Sequence, residues 1–152
     1  MIDVDVHRKL GSITNNRSWN LIESAELTAE ESEELLATAM ASVYHWTAVG
    51  DSEKFPARDL LAGAALLKIG LTKMSEGFVQ RAYDALSPAD RAEWEQAFAH
   101  AVRAWYLWQC GETDTARAHY QQAKEIGENM PDPEDRMIFF NTFDLIPPPL
   151  AV

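Results

Sequence analysis

Between Asp90 and Met130 the apolar positions keep a helical period. Trp94, Phe98, Ala101, Trp105 and Trp108 follow one another at intervals of four, three, four and three residues, which places all five on one face of a helix. Ala97, Ala104 and Leu107 fill an adjoining strip, so this helix is apolar around more than half its circumference and is expected at the centre of the fold. Gly111 can take the left-handed conformation that ends it. Thr113 or Thr115 then caps a second, antiparallel arm in which Ala116, Tyr120 and Ala123 repeat at the same period.

The rest of the chain reads as further helices laid against this pair. Residues 1–17 hold the turn formers Gly11-Ser12 and Asn15-Asn16 and show little apolar periodicity, which predicts a poorly ordered or loosely docked arm. A short helix is predicted from Ser18 through Trp19, Leu21 and Ile22. Thr28-Ala29-Glu30-Glu31 matches the capping box, so a helix starts there, carries Leu35, Leu36, Ala39, Met40, Val43 and Trp46 or Thr47, and stops at Gly50. Phe55-Pro56 opens a third helix that runs to Ile69-Gly70, and Thr72 caps a fourth that runs to Leu86. Ser87-Pro88-Ala89-Asp90 has the grammar of a helix start and is read as the beginning of the central helix. Asp132-Pro133-Glu134-Asp135 repeats that grammar for a last helix with Ile138, Phe139, Phe140 and Phe143. One all-helical domain over residues 18–146 is the result, followed by a proline-rich tail over residues 147–152, where Pro147-Pro148-Pro149 favours an extended polyproline II segment.

Composition narrows the partners. Twenty-four acidic against thirteen basic residues give a formal charge of −11, which argues against a nucleic-acid backbone and leaves a basic protein or peptide as a fitting partner. Six glutamates and no base lie between Glu23 and Glu34, a solvated face or a landing strip for a cation. With 152 residues the chain can bury roughly 70% of its extended surface and so needs no staple. Its single cysteine, Cys110, precludes an intrachain disulfide, suits a reducing compartment and is expected as a small buried residue at a helix end. Met1 to Leu10 lacks the apolar run of a signal peptide and no stretch is long enough to span a bilayer, so no membrane association and a cytoplasmic location are expected.

An offset of forty-one residues recurs between Gly70 and Gly111, Ser75 and Ala116, Val79 and Tyr120, Ala82 and Ala123, and Gly63 and Ala104. With Ala97 as the first position of a unit, Ala104 as the small residue of its first helix, Gly111 as the turn glycine and Ala116-Tyr120-Ala123 in its second, residues 97–130 resemble the tetratricopeptide-repeat superfamily, and residues 56–88 do so more faintly. The chain departs from the family pattern at His100, at Arg103 and at Pro131, which stands three positions late. The resemblance implies an all-α fold of antiparallel helical hairpins, as a right-handed superhelix or a compact bundle of six to seven helices. It also implies a protein- or peptide-binding face made by the first helices, here Phe98, Ala101, Trp105, Trp108 and Gln109 with Ala57, Leu60, Ala64, Leu67 and Lys68. That face either stays open to an amphipathic helix, an extended peptide or a second copy of the chain, or is filled by another helix of the same chain.

Catalytic chemistry is not signalled. His7, His45, His100 and His119 show neither HExxH nor ExxH spacing, and Cys110 stands alone, so no metal and no cofactor are expected. No nucleophile elbow, P-loop or dinucleotide fingerprint occurs. Two places invite a ligand: the bulky run Tyr44-His45-Trp46, whose side chains leave the helix in three directions, and His100 on the apolar central helix. Both are accounted for by ordinary packing, or else by a small-molecule or sensor pocket between the second helix and the central one. The leading expectation is a non-enzymatic interaction module that binds a protein segment, or itself, through the aromatic face.

Overall fold

Caps and glycines punctuate the chain into seven α-helices, which a computed structural model describes over residues 2–146. They are α1 (Val4–Ile22), α2 (Ala29–Val49), α3 (Phe55–Lys68), α4 (Thr72–Leu86), α5 (Glu93–Gln109), α6 (Thr113–Glu128) and α7 (Pro133–Phe143). A short 3-10 turn, Ser52–Lys54, joins α2 to α3, and no strand occurs among the described residues. The proline-rich segment lies outside those residues.

Several ends form for the reasons the sequence gives. Thr28 accepts from the Glu31 amide while the Glu31 carboxylate accepts from the Thr28 amide, which completes the capping box of α2. Asp132 accepts from the Glu134 amide ahead of Pro133 at the start of α7. Gly70 and Gly111, both at φ 80, close α3 and α5 in the same way: each glycine N–H and the one after it fold back onto the carbonyls of Leu67 and Leu66, or of Trp108 and Leu107. The forty-one-residue offset is therefore carried by equivalent helix ends, and by small residues buried at both Ser75 and Ala116 and at both Ala82 and Ala123.

The helices form antiparallel hairpins α1/α2, α3/α4 and α5/α6, and alternate helices α1, α3, α5 and α7 lie side by side, giving an all-α bundle. The most completely buried element is α3 rather than α5: every residue from Asp59 to Leu67 is buried. Ala62, Gly63, Ala64 and Ala65 let neighbours approach on all sides of it, and the flanking leucines supply the apolar surface. The one acid inside, Asp59, is held by Arg58 at 3.1 Å and Arg81 at 3.3 Å.

Three local expectations are corrected. Residues 1–17 are no loose arm, because Val4 onward is the first helix, with Asp3 as its cap. Up to Ser18 its buried side carries His7, Gly11 and Ser18 instead of apolar residues, so hydrophobic periodicity misses that part. An added Cβ at Gly11 would lie 2.9 Å from the Trp46 indole, which shows that this glycine serves close helix contact. Ser87-Pro88 makes a turn, and α5 begins only at Glu93, where the Glu95 carboxylate accepts from the Ala92 amide. Cys110 is exposed, since it falls at the solvent-facing end of α5.

At the other end of the bundle α6 and α7 meet over Gly127, where an added Cβ would stand 2.6 Å from the Phe139 ring. Gly127→Ala is expected to destabilise by about 1–3 kcal/mol, because forcing two packed helices apart outweighs a helix-propensity gain of at most about 1 kcal/mol. A lowered urea midpoint at unchanged slope would show it.

Candidate functional site

The layer of α1, α3, α5 and α7 carries an apolar trough of about 270 Å³. Trp19 of α1, Leu60 of α3 and Phe98 of α5 form its floor, Trp94 and Ile138 its edge, and Asn15, Glu23, Ala57 and Thr142 complete the lining. The rings are set by packing: Phe98 lies 6.2 Å from Trp19, 6.5 Å edge-on to Trp94 and 5.1 Å edge-on to Phe139 beneath it. Thr142 donates to the Glu23 carboxylate at 3.1 Å and so ties α7 to the end of α1. Although Phe98 is nearly sealed, Trp94 and Ile138 stay 45% and 49% exposed, so the edge keeps apolar surface that the chain does not cover. Past Trp94 the trough opens into hollows bordered by Glu93, Asp132 and Asp135.

A second depression of about 420 Å³ lies where the α1–α2 turn and the ends of α3 and α5 meet, lined by Leu27, Ser32, Leu67, Lys68, Trp105, Gln109 and Leu145 among others. Two of its polar side chains are already engaged, while the buried Trp105 indole N–H has no hydrogen-bond partner among the described residues. Lys68 donates to the Ser24 carbonyl at 2.6 Å, and burial lowers its pKa. The Gln109 amide donates to the Leu67 carbonyl at 3.0 Å and accepts from the Thr72 hydroxyl.

All four histidines pair across hairpins. His7 of α1 meets His45 of α2 with 2.9 Å between their Nδ1 atoms, and His100 of α5 meets His119 of α6 at the same distance. Ring centroids 5.1 and 5.2 Å apart mean that the imidazoles meet almost head-on, which suits one shared proton and not two lone pairs converging on an ion. Desolvation lowers the pKa of His45, with the His7 charge adding to it, and burial likewise lowers His100. His119 is pushed down to about 4 by burial first and by His100 and Arg103 after it. Tyr83 lies edge-on to both rings of the second pair, at 5.5 and 5.3 Å. Among the described residues no three His, Cys, Asp or Glu side chains converge as a metal site would need.

No family model, curated protein or solved structure matches this chain. The site is therefore read from its own geometry. Of the residues singled out by sequence, Phe98 lies in the trough, while Trp105, 5% exposed, and Gln109 line the second depression. Trp108 is half-buried beside Leu107 and Ala116. Tyr44 is exposed, His45 is turned to His7, and Trp46 lies over Gly11, so the structure does not bring this run together with His100, which faces α6. Trp19, Trp94 and Ile138 were not among those site residues. Trp94 carried a signal, since it begins the Trp94-Phe98-Trp105-Trp108 stripe, whereas Trp19 and Ile138 join the site only through the side-by-side packing of α1, α3, α5 and α7.

Proposed function

We propose that this chain is a non-enzymatic interaction module that binds a protein or peptide segment across the face shared by α1, α3, α5 and α7. The observation that carries this reading is the trough edge: a tryptophan and an isoleucine held half-exposed above a rigid aromatic floor, the arrangement in which binding hot spots are built. It is also the manner of binding that the tetratricopeptide-repeat resemblance implies, with first helices forming the face. A small-ligand site in the second depression is the alternative, favoured by its position between the start of α2 and the end of α5. Its Lys68 and Gln109 groups already bond within the chain, which leaves the buried Trp105 indole N–H as the donor that a ligand there would meet without displacing a partner.

Selection of a displayed peptide library against the protein tests the reading. Peptides so obtained are expected to lose about thirtyfold in affinity for Trp94→Ala, the effect of a hot-spot loss near 2 kcal/mol. They should keep it for Met74→Ala, an equally exposed apolar residue on α4. Equal binding to both variants would place the binding surface elsewhere. The size of the protein in solution, with and without Trp94, reports whether a second copy occupies the face.

A further inference from the structure

We infer that the trough takes an amphipathic helix bearing lysine or arginine beside its apolar side chains; this rests on the reading of the trough as the binding face. The walls of the trough are four helices whose backbone groups bond within themselves, and the described residues offer no sheet edge. An extended segment laid there would bury its own N–H and C=O groups without partners. A helix arrives with those groups already paired and offers bulky side chains along one stripe, which is what an apolar floor between helices accepts.

The charge of the partner follows from where the cations are. Glu23 borders the trough and Glu93, Asp132 and Asp135 its continuation, and among the described residues lining these hollows there is no Lys, Arg or His. Elsewhere six of the chain's twenty-four acids are matched: Asp5 by Arg8, Glu34 by Arg17, Asp59 by Arg58 and Arg81, Glu95 by Arg91, Asp114 by Arg117 and Glu128 by Lys124. The four carboxylates around the trough take part in none of those ion pairs. Set beside apolar walls in a chain of formal charge −11, they concentrate a negative potential where the exposed Trp94 stands. A second copy of this chain placed face to face would bring the same carboxylates against each other, so the electrostatics select a cationic partner over self-association.

Two synthetic helical peptides test this, sharing leucine and tryptophan at i, i+3, i+4 and i+7 and carrying either lysine or glutamate at the other positions, with a scrambled lysine peptide of equal charge as a third. The lysine peptide is expected to bind at least about tenfold tighter than the other two and to weaken as salt rises. Glu93→Gln with Asp135→Asn should cost it about five- to tenfold and Trp94→Ala at least about tenfold, whereas Glu112→Gln with Asp114→Asn, at the opposite end of α5 from Trp94, should leave it unchanged. Far-ultraviolet circular dichroism of each variant establishes that it is folded. Equal binding of the lysine and glutamate peptides, both lost with Trp94→Ala, would overturn the charge preference and leave the trough as the binding face. Binding of the lysine peptide that survives Trp94→Ala, or no binding by any peptide, would overturn the inference. So would Trp94-dependent dimerisation.

Discussion

Phe139→Ala is expected to lower the free energy of unfolding by about 3–5 kcal/mol, the largest effect of any single truncation proposed for this chain. Phe139 is fully buried, with Phe98 at 5.1 Å on α5, Phe140 at 5.1 Å and Phe143 at 5.2 Å on its own helix, and Gly127 of α6 beneath its edge. Three helices meet at that ring, and none can move in to fill its space without losing its other contacts. Total stabilities of domains are about 5–15 kcal/mol, so a loss of this size threatens the docking of α7 as a whole. Urea denaturation followed by tryptophan fluorescence measures it. Because α7 supplies Ile138 and Thr142 to the trough, the same substitution should impair binding, unlike Trp94→Ala, which should impair binding and leave stability nearly intact.

Acidification gives the second large effect. His119 has its pKa moved from 6.5 to about 4 in the folded chain, and His45 and His100 move in the same direction. The unfolded chain therefore takes up these protons first. Stability contributed by the neutral rings is complete above pH 6.5, declines as the pH falls, and is gone below about 4. Held in full, the His119 displacement from 6.5 to about 4 is worth about 3 kcal/mol; with the ring only half-buried, about 1–2 kcal/mol is expected. Relief of repulsion in a chain of charge −11 acts in the opposite sense over the same range. The measurement is thus a difference: denaturation midpoints from pH 7 to 4 for the wild type and for His119→Gln. A flatter profile for the variant is the expected result, and parallel profiles would show that the pair does not set the acid response.

What the sequence discloses of this fold depends on how each interface is made. Helix α2 is legible because its cap, its apolar stripe and its closing glycine agree, and the α5–α6 turn is legible because Gly111 follows an apolar helix without a break. The first part of α1 is hidden because it packs through small and polar groups. Gly11 lies under Trp46, Ser18 donates to Thr38 at 2.8 Å, and His7 meets His45, while Val4, Val6 and Ile13 face out. The start of α5 is misplaced because Ser-Pro in a turn has the same residues as Ser-Pro at a helix start.

For the candidate site, the stripe gave Phe98 and gave Trp105 as a neighbour, but not which indole the core would take. That choice depends on how α3 and α7 flank α5, a long-range fact with no local pattern. The histidine pairs did have a signal. Midway between His7 and His45 is Glu26, in the α1–α2 turn, and midway between His100 and His119 is the Gln109-Cys110 end of α5, so antiparallel register alone sets each pair opposite.

The composition of the α1–α2 seam makes α1 a helix of two unequal halves. Toward its end, Leu21 and Ile22 are sunk in the core, whereas toward its start only a glycine and an imidazole hold it down. The first turns are accordingly held less tightly than the last ones and open at lower cost, in a local fraying event. Since Trp19 belongs to the anchored half, such fraying leaves the trough floor standing, and the chain can loosen at one extremity without surrendering its binding face.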